Sequence, residues 1–226
     1  MAFDGCFVTG TDTGVGKTLV SAALLHTLAR HHARVVGMKP VAAGLVQQGG
    51  EWVAEDALAL RAASTVAVPP ALDNPVMLPE PLSPHLAAAR AGRRVGVAEL
   101  VAAHGELRSL ADVVLVEGSG GWRVPLNDGE TLADLAVALA LPVVLVVGLR
   151  LGCLNHALLT AEAIRADGLQ LAGWVANTVD PAMACRDENI ATLRQRLGAP
   201  LLGVVPWQPH TPEARQIVLD LPATWR

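Results

Sequence analysis

Apolar residues in this chain come in short unbroken runs separated by longer, mixed stretches. Of the runs Cys6–Val8, Val35–Met38, Val113–Val116, Val143–Val147, Leu171–Ala176 and Leu201–Val205, most are apolar on consecutive positions and do not alternate. A strand with one wet face alternates. A strand without alternation is buried on both faces, as in a parallel sheet covered by helices. Between these runs the spacing predicts helices over Lys17–Arg30, Glu55–Ala63, Val97–Ser109, Leu132–Ala140, His156–Ala166 and Ala184–Leu197. Alternating strands and helices of this kind predict an α/β fold: a doubly wound, mostly parallel sheet with helices on both faces.

Two stretches qualify that pattern. The apolar run Leu132–Leu149 is interrupted by Asp134, Pro142 and Gly148, so it reads as a helix followed by a buried strand and not as a membrane span. Pro69–His85 carries six prolines, at 69, 70, 75, 79, 81 and 84. Such a shift in composition suits a linker or an ordered insertion. Its apolar residues Val76, Met77, Leu78 and Leu82, with helical patterns following at His85–Ala91 and Val97–Ser109, favour an ordered insertion near the site.

A chain of 226 residues that is 52% hydrophobic and 17% charged has the material for one large core, and a single domain over 1–226 is expected. The net charge of −4, without a basic block, argues against a dedicated nucleic-acid protein. Three scattered cysteines form no CxxC pair and, being odd in number, no disulfide framework, which suits a reducing cytoplasm. No basic region followed by an apolar core opens the chain, so no export signal is expected.

The chemistry begins at Val8–Thr18, VTGTDTGVGKT. An apolar strand runs into a turn rich in Gly and Thr that ends in Gly16-Lys17-Thr18, and a helical run follows. Glycines let successive N–H groups point into one concavity, and the helix start adds a positive dipole end, so the segment predicts a phosphate-binding loop. Lys17 would meet the β/γ-phosphates, and the Thr18 hydroxyl would be a Mg²⁺ ligand. The strict pattern asks for glycine at the position of Thr11, so a loop starting at Gly10 is one residue longer than usual.

Ligands of open parallel sheets bind beyond the carboxyl ends of the strands, so polar residues that close strands are informative. Lys39 closes VVGMK, Glu117 closes VVLVE ahead of Gly118-Ser119-Gly120-Gly121, and Asn177 closes GWVAN. Glu117 suits a carboxylate that holds Mg²⁺ directly or through water, or one that caps its glycine turn. Lys39 suits a phosphate or carboxylate partner, or a snorkelling side chain at a sheet edge. Asp56 opens a helical run, which by spacing alone makes it a first-turn acid. Asn155 and His156 open another helix. There Asn155 is a good N-cap, and the free N–H groups could also receive a substrate carboxylate.

With these residues in hand, the chain resembles the dethiobiotin synthetase family over nearly its full length. The matching stretches are VTGTDTGVGKT (8–18), GMKPVAAG (37–44), EDALAL (55–60), EPLSPH (80–85), VLVEGSGGWRVPL (114–126), PVVLVVGLRLGCLNHALLT (142–160), LAGWVAN (171–177) and PLLGVVPW (200–207). The longer loop is also the form this family uses. The resemblance implies a P-loop NTPase-type fold and conversion of 7,8-diaminononanoate, CO₂ and ATP to dethiobiotin, ADP and phosphate with Mg²⁺. It implies Lys39 as catalytic lysine beside Lys17, with Thr18, Asp56 and Glu117 as metal ligands. Nucleotide contacts would come from Thr13, Gly14, Val15, Gly16, Lys17, Thr18, Leu19, Glu117, Gly118, Ser119 and Gly120. Asn177, Thr178, Pro206, Trp207, Gln208 and Glu213 would surround the adenine. Substrate contacts would come from Thr13, Lys39, Ala43, Gly152, Cys153, Leu154 and Asn155, with the 152–155 segment reaching the neighbouring subunit's site in a homodimer. The family often has a hydroxyl residue where this chain has Ala43, a difference worth about 1 kcal/mol.

A second class shares this sheet and loop: nucleotide-switch ATPases and GTPases that act on a protein partner. Asn177-Thr178-Val179-Asp180 resembles the Asn-Lys-x-Asp pattern with which GTPases read guanine, but without its lysine. Against this reading stand the Lys39 segment and the GCLNH helix start, which suit a small dianionic substrate.

Overall fold

In the computed structural model, which describes residues 3–210 and 212–226, the expected runs become strands of one sheet. The first half of the chain gives β1 (Gly5–Gly10), α1 (Lys17–Leu28), β2 (Val35–Met38), β3 (Val41–Ala43), β4 (Val46–Gln48), β5 (Glu51–Val53), α2 (Glu55–Ala63), α3 (Pro70–Asp73), β6 (Val76–Leu78), α4 (Pro84–Arg90) and α5 (Val97–Leu110). The second half gives β7 (Val113–Glu117), α6 (Leu132–Leu139), β8 (Val143–Leu149), α7 (Cys153–Ala166), β9 (Leu171–Thr178), α8 (Arg186–Arg196) and β10 (Leu201–Val205). Two 3₁₀ turns, Ala214–Gln216 and Ala223–Trp225, lie near the C-terminus.

Six strands form a fully parallel sheet in the order β10-β9-β8-β1-β7-β2. Its faces feed two separate cores, as the absence of alternation requires. Cys6 and Val8 of β1 pack with Val20, Leu24, Leu25 and Leu28 of α1 on one face. Phe7 points to the other face, where Leu100 and Leu107 of α5, Leu135 of α6, Ile164 of α7 and Leu193 of α8 gather. Asp134 interrupts its apolar run for a local reason. Its carboxylate accepts from the Thr131 N–H at 2.7 Å and caps α6.

The chain leaves β1 for β2 on one side and, after β7, passes to β8 on the other, so the strand order switches at β1. The crevice at the carboxyl end of β1 is therefore the ligand position of this fold. The Pro69–His85 insertion is ordered. Its β6 pairs in parallel with β3, matching Val41 to Val76 and Ala43 to Leu78, and this brings Pro81–Pro84 alongside the crevice. Strands of three residues are too short to show a period, so β3 to β6 were not anticipated. Helix α7 begins at Cys153 and not at His156, because the buried Cys153 belongs to the first turn and Gly152 takes the cap at φ 95°. Asn155 is thus a first-turn residue and not the N-cap.

Candidate functional site

The turn after β1 curls because Gly14 and Gly16 hold left-handed backbone, with φ of 73° and 87°. At Gly16 a Cβ would lie 2.2 Å from Asn177 Nδ2, so no side chain fits. The start of α1 has no side-chain cap and no acid in its first turn. Its N–H groups are left for an anion, as phosphate binding demands. Val15 faces the core, and its carbonyl accepts from Asn177 Nδ2 at 2.8 Å. Asn177 therefore braces the loop from the end of β9. Thr178 lies buried beside it, while Pro206, Trp207 and Gln208 follow β10, exposed like Glu213.

Lys17 is buried, and its ammonium donates to the Asp12 carbonyl at 3.1 Å. Burial, followed by the like charge of Lys39, lowers its pKa to about 8. Asp12 turns its carboxylate to the Thr13 N–H at 2.7 Å and to the guanidinium of Arg150. The backbone hydrogen bond is the main cause that keeps Asp12 below its ordinary value. Neither Asp12 nor Arg150 was singled out by sequence, and an ion pair 138 residues apart leaves no local signal.

Strand ends bring the remaining groups together. Lys39 Nζ lies 2.7 Å from Asp56 Oδ2, 2.7 Å from Glu117 Oε1 and 3.4 Å from the Gly118 carbonyl. Burial alone would lower the Lys39 pKa, but the two carboxylates outweigh it and raise the value. For Asp56, burial is opposed and outweighed by Lys39, and its pKa falls. Thr18 Oγ1 stands 3.0 Å from Asp56 Oδ1 and 2.9 Å from Glu117 Oε1, with one proton for the two. Asp56 is therefore committed to the site. The backbone of Lys39 is fixed in turn: its N–H donates to the Asp73 carbonyl at 2.7 Å, and its carbonyl accepts from Asn74 Nδ2 at 2.7 Å. Asp73 is held by Arg61 through bonds of 2.6 and 2.7 Å. These supporting residues carry no motif and were missed.

Thr18, Asp56 and Glu117 fit Mg²⁺. They are hard oxygen donors, and Glu117 Oε2 is buried with no hydrogen-bond partner among the described residues. Among the described residues no group of three or more His, Cys, Asp or Glu is placed to hold a metal ion. With one hydroxyl and two carboxylates as protein donors, Mg²⁺ would complete its shell with water and phosphate oxygens.

These groups open on a cavity of about 760 Å³, lined by Thr13–Gly14, Gly16–Thr18, Lys39, Ala43, Asp56, Pro81–Pro84, Ser119–Gly120 and Val124. Gly120 runs close over the loop, where a Cβ would stand 3.5 Å from Thr13 Oγ1. Ser119 Oγ donates to the Val41 carbonyl at 2.6 Å and ties the glycine loop to β3. Ala43 presents only a methyl group at the wall. Leu19 sits in the first turn of α1, outside the lining, and Gly118 contacts the site through its carbonyl. Gly152, Cys153, Leu154 and Asn155 do not line the cavity of their own chain, and all but the buried Cys153 and half-buried Leu154 are exposed.

Fold, loop and site together define an α/β protein of the P-loop NTPase type. The chain belongs to the AAA domain family, whose profile matches residues 4–215. A ParA family ATPase from Chlorobium tepidum aligns with 92% of this chain and 86% of its own, at TM-score 0.55 and 11% identity. A chain of the MinC:MinD cell division protein complex of Aquifex aeolicus aligns at TM-score 0.56 and 16% identity, covering 91% and 82%. The signal recognition particle receptor FtsY from Elizabethkingia anophelis aligns at TM-score 0.51 and 17% identity, covering 95% of this chain and 61% of FtsY. At these identities the likeness establishes the shared fold. No helix among the described residues is long and apolar enough to cross a membrane.

Proposed function

We propose that this protein is an ATP- and Mg²⁺-dependent ring-forming ligase that makes dethiobiotin from 7,8-diaminononanoate and CO₂. The observation that carries the reading is Lys39, a buried ammonium on the wall of a cavity continuous with the phosphate loop. A switch protein needs its nucleotide and a moving loop. A second cation in such a protein serves the phosphates, whereas Lys39 stands on the wall of a partly open, small-molecule-sized space beside them. In the proposed reaction one substrate amine attacks CO₂ and loses a proton, giving a carbamate. The carbamate oxygen takes the γ-phosphoryl group of ATP and ADP leaves. The second amine attacks the carbamoyl carbon and gives up a proton, phosphate departs with the C–O bond, and a cyclic urea remains.

The chain's own groups supply position and charge. Lys17 and the start of α1 hold the phosphates, and Lys39 stabilises the carbamate and the charge that grows on the transferring group. Mg²⁺ held by Thr18, Asp56 and Glu117 would neutralise β- and γ-phosphate charge when bound. Pro81–Pro84 and Val124 would enclose the aliphatic chain. Asn177, Thr178, Pro206–Gln208 and Glu213, at and beyond the ends of β9 and β10, would form the adenine site. In a homodimer the start of α7, with Leu151 at 94% exposure and Leu159 at 56%, would pack on the partner and carry Gly152–Asn155 to its substrate carboxylate. A cytoplasmic setting goes with such an enzyme.

The second reading, a nucleotide switch acting on a protein partner, is favoured by the kinship in fold with the ParA and MinC:MinD chains. One assay separates the two. With Mg²⁺–ATP and bicarbonate, ADP release should depend on diaminononanoate, and dethiobiotin should form in step with it. ADP release indifferent to diaminononanoate would overturn the ligase reading in favour of the switch.

A further inference from the structure

The chain contains only two lysines, Lys17 and Lys39, and every other basic side chain of fixed charge is arginine. Both lysines are buried at the cavity. Among the described residues Lys17 bonds only a carbonyl, whereas Lys39 bonds both carboxylates of the set that suits Mg²⁺. Glu117 Oε1 serves both Lys39 Nζ and Thr18 Oγ1. One group of oxygens is therefore offered to two cations, and a divalent ion on these oxygens would be a near neighbour of the ammonium and repel it.

We propose that the Lys39 ammonium is the resident counter-ion of the metal site, and that metal binding displaces it toward the cavity. The inference rests on the metal and nucleotide part of the function proposed above and is independent of the substrate's identity. A buried carboxylate with no partner is strongly disfavoured, so before metal arrives Glu117, fully buried, needs a cation. Lys39 supplies it without leaving its strand end. The side chain already forms part of the cavity wall, so displacement needs rotation about side-chain bonds and no backbone movement. Its backbone stays clamped by Asp73 and Asn74. The consequence is an ordering of events: the ammonium faces the reacting group only when metal has taken its place, and an empty site keeps its lysine occupied.

Two measurements test this. Mn²⁺ alone, titrated and followed by electron paramagnetic resonance, should bind Lys39→Gln about tenfold or more tighter than wild type, since the competing cation is gone. Equal or weaker Mn²⁺ binding by the variant, with wild type binding normally, would overturn the exchange and leave the nucleotide site standing. A wild-type protein that binds neither Mn²⁺ nor ADP would overturn both. The second measurement uses wild type and holds even where the variant fails to fold. With two lysines, acetylation read by mass spectrometry is unambiguous, and saturating Mg²⁺ should speed acetylation of Lys39 about tenfold or more relative to metal-free protein. Unchanged protection of Lys39 would equally overturn the exchange.

Discussion

Lys17→Met makes a sharp test of the charge arrangement, because it should stabilise the free protein while destroying its activity. Lys17 falls from an ordinary value of 10.5 to about 8, first through burial and then through Lys39. At about 1.4 kcal/mol per pH unit, the charged lysine costs the folded state about 3 kcal/mol at neutral pH. Methionine keeps the length and loses the charge. It also gives up the hydrogen bond to the Asp12 carbonyl, which offsets roughly 1 kcal/mol. The net expectation is a gain of about 2 kcal/mol at pH 7 in urea unfolding without nucleotide.

The pH dependence carries the sign. Between pH 8 and 10.5 the unfolded chain holds this proton and the folded chain has lost it, so the Lys17 contribution to stability rises with pH there and the gap to the variant closes. Cys6, whose burial pushes its thiol up to about 12, works the other way in the same range, but equally in both proteins, so the gap between them reports Lys17. ATP reverses the balance, because phosphate favours the charged lysine. Wild-type binding at pH 9 should therefore take up a proton, visible by calorimetry in buffers of different ionisation enthalpy. A variant less stable than wild type at pH 7, or a gap that persists at pH 10.5, would refute the reasoning.

Lys39→Gln should lower kcat by about 10²-fold or more while weakening substrate binding less, as loss of a preorganised electrostatic donor does; a rise in KM at unchanged kcat would make Lys39 a ground-state anchor. Asp56→Asn should raise the Mg²⁺ concentration for half-maximal activity, and an unchanged requirement would remove Asp56 from the ligands. Mixed Asn155→Ala and Lys39→Ala subunits should regain activity on exchange, since one site of the heterodimer is then intact; no recovery despite proven exchange would place each site within one chain.

The sheet was legible because both-face burial prints itself on consecutive residues, and the loop was legible because a tight anion-binding turn needs glycine, lysine and threonine in order. The insertion was legible only as a composition. Its short β3–β6 pairing, which sets Pro81–Pro84 against the cavity, depends on contacts that three-residue strands cannot announce. The N-cap rule pointed to Asn155, but the demand to bury Cys153 started α7 one turn earlier.

Sequence by itself determined the six strands of the main sheet, most of the helices that cover it, the strand-end positions of Lys39, Glu117 and Asn177, and the candidacy of Lys17 and Thr18, since these follow from hydrophobic period and turn chemistry within a few residues. Only the tertiary structure decided who meets whom. Thr18 reaches Asp56 across 38 residues and Glu117 across 99, and Lys39 reaches Glu117 across 78. Asp56 shows the difference: in a first helical turn any acid is favourable, and nothing local tells a dipole partner from a metal ligand. Its place in the site is set when β2, α2 and β7 converge and a buried lysine and a threonine hydroxyl both meet its oxygens, a condition of packing that spacing does not show.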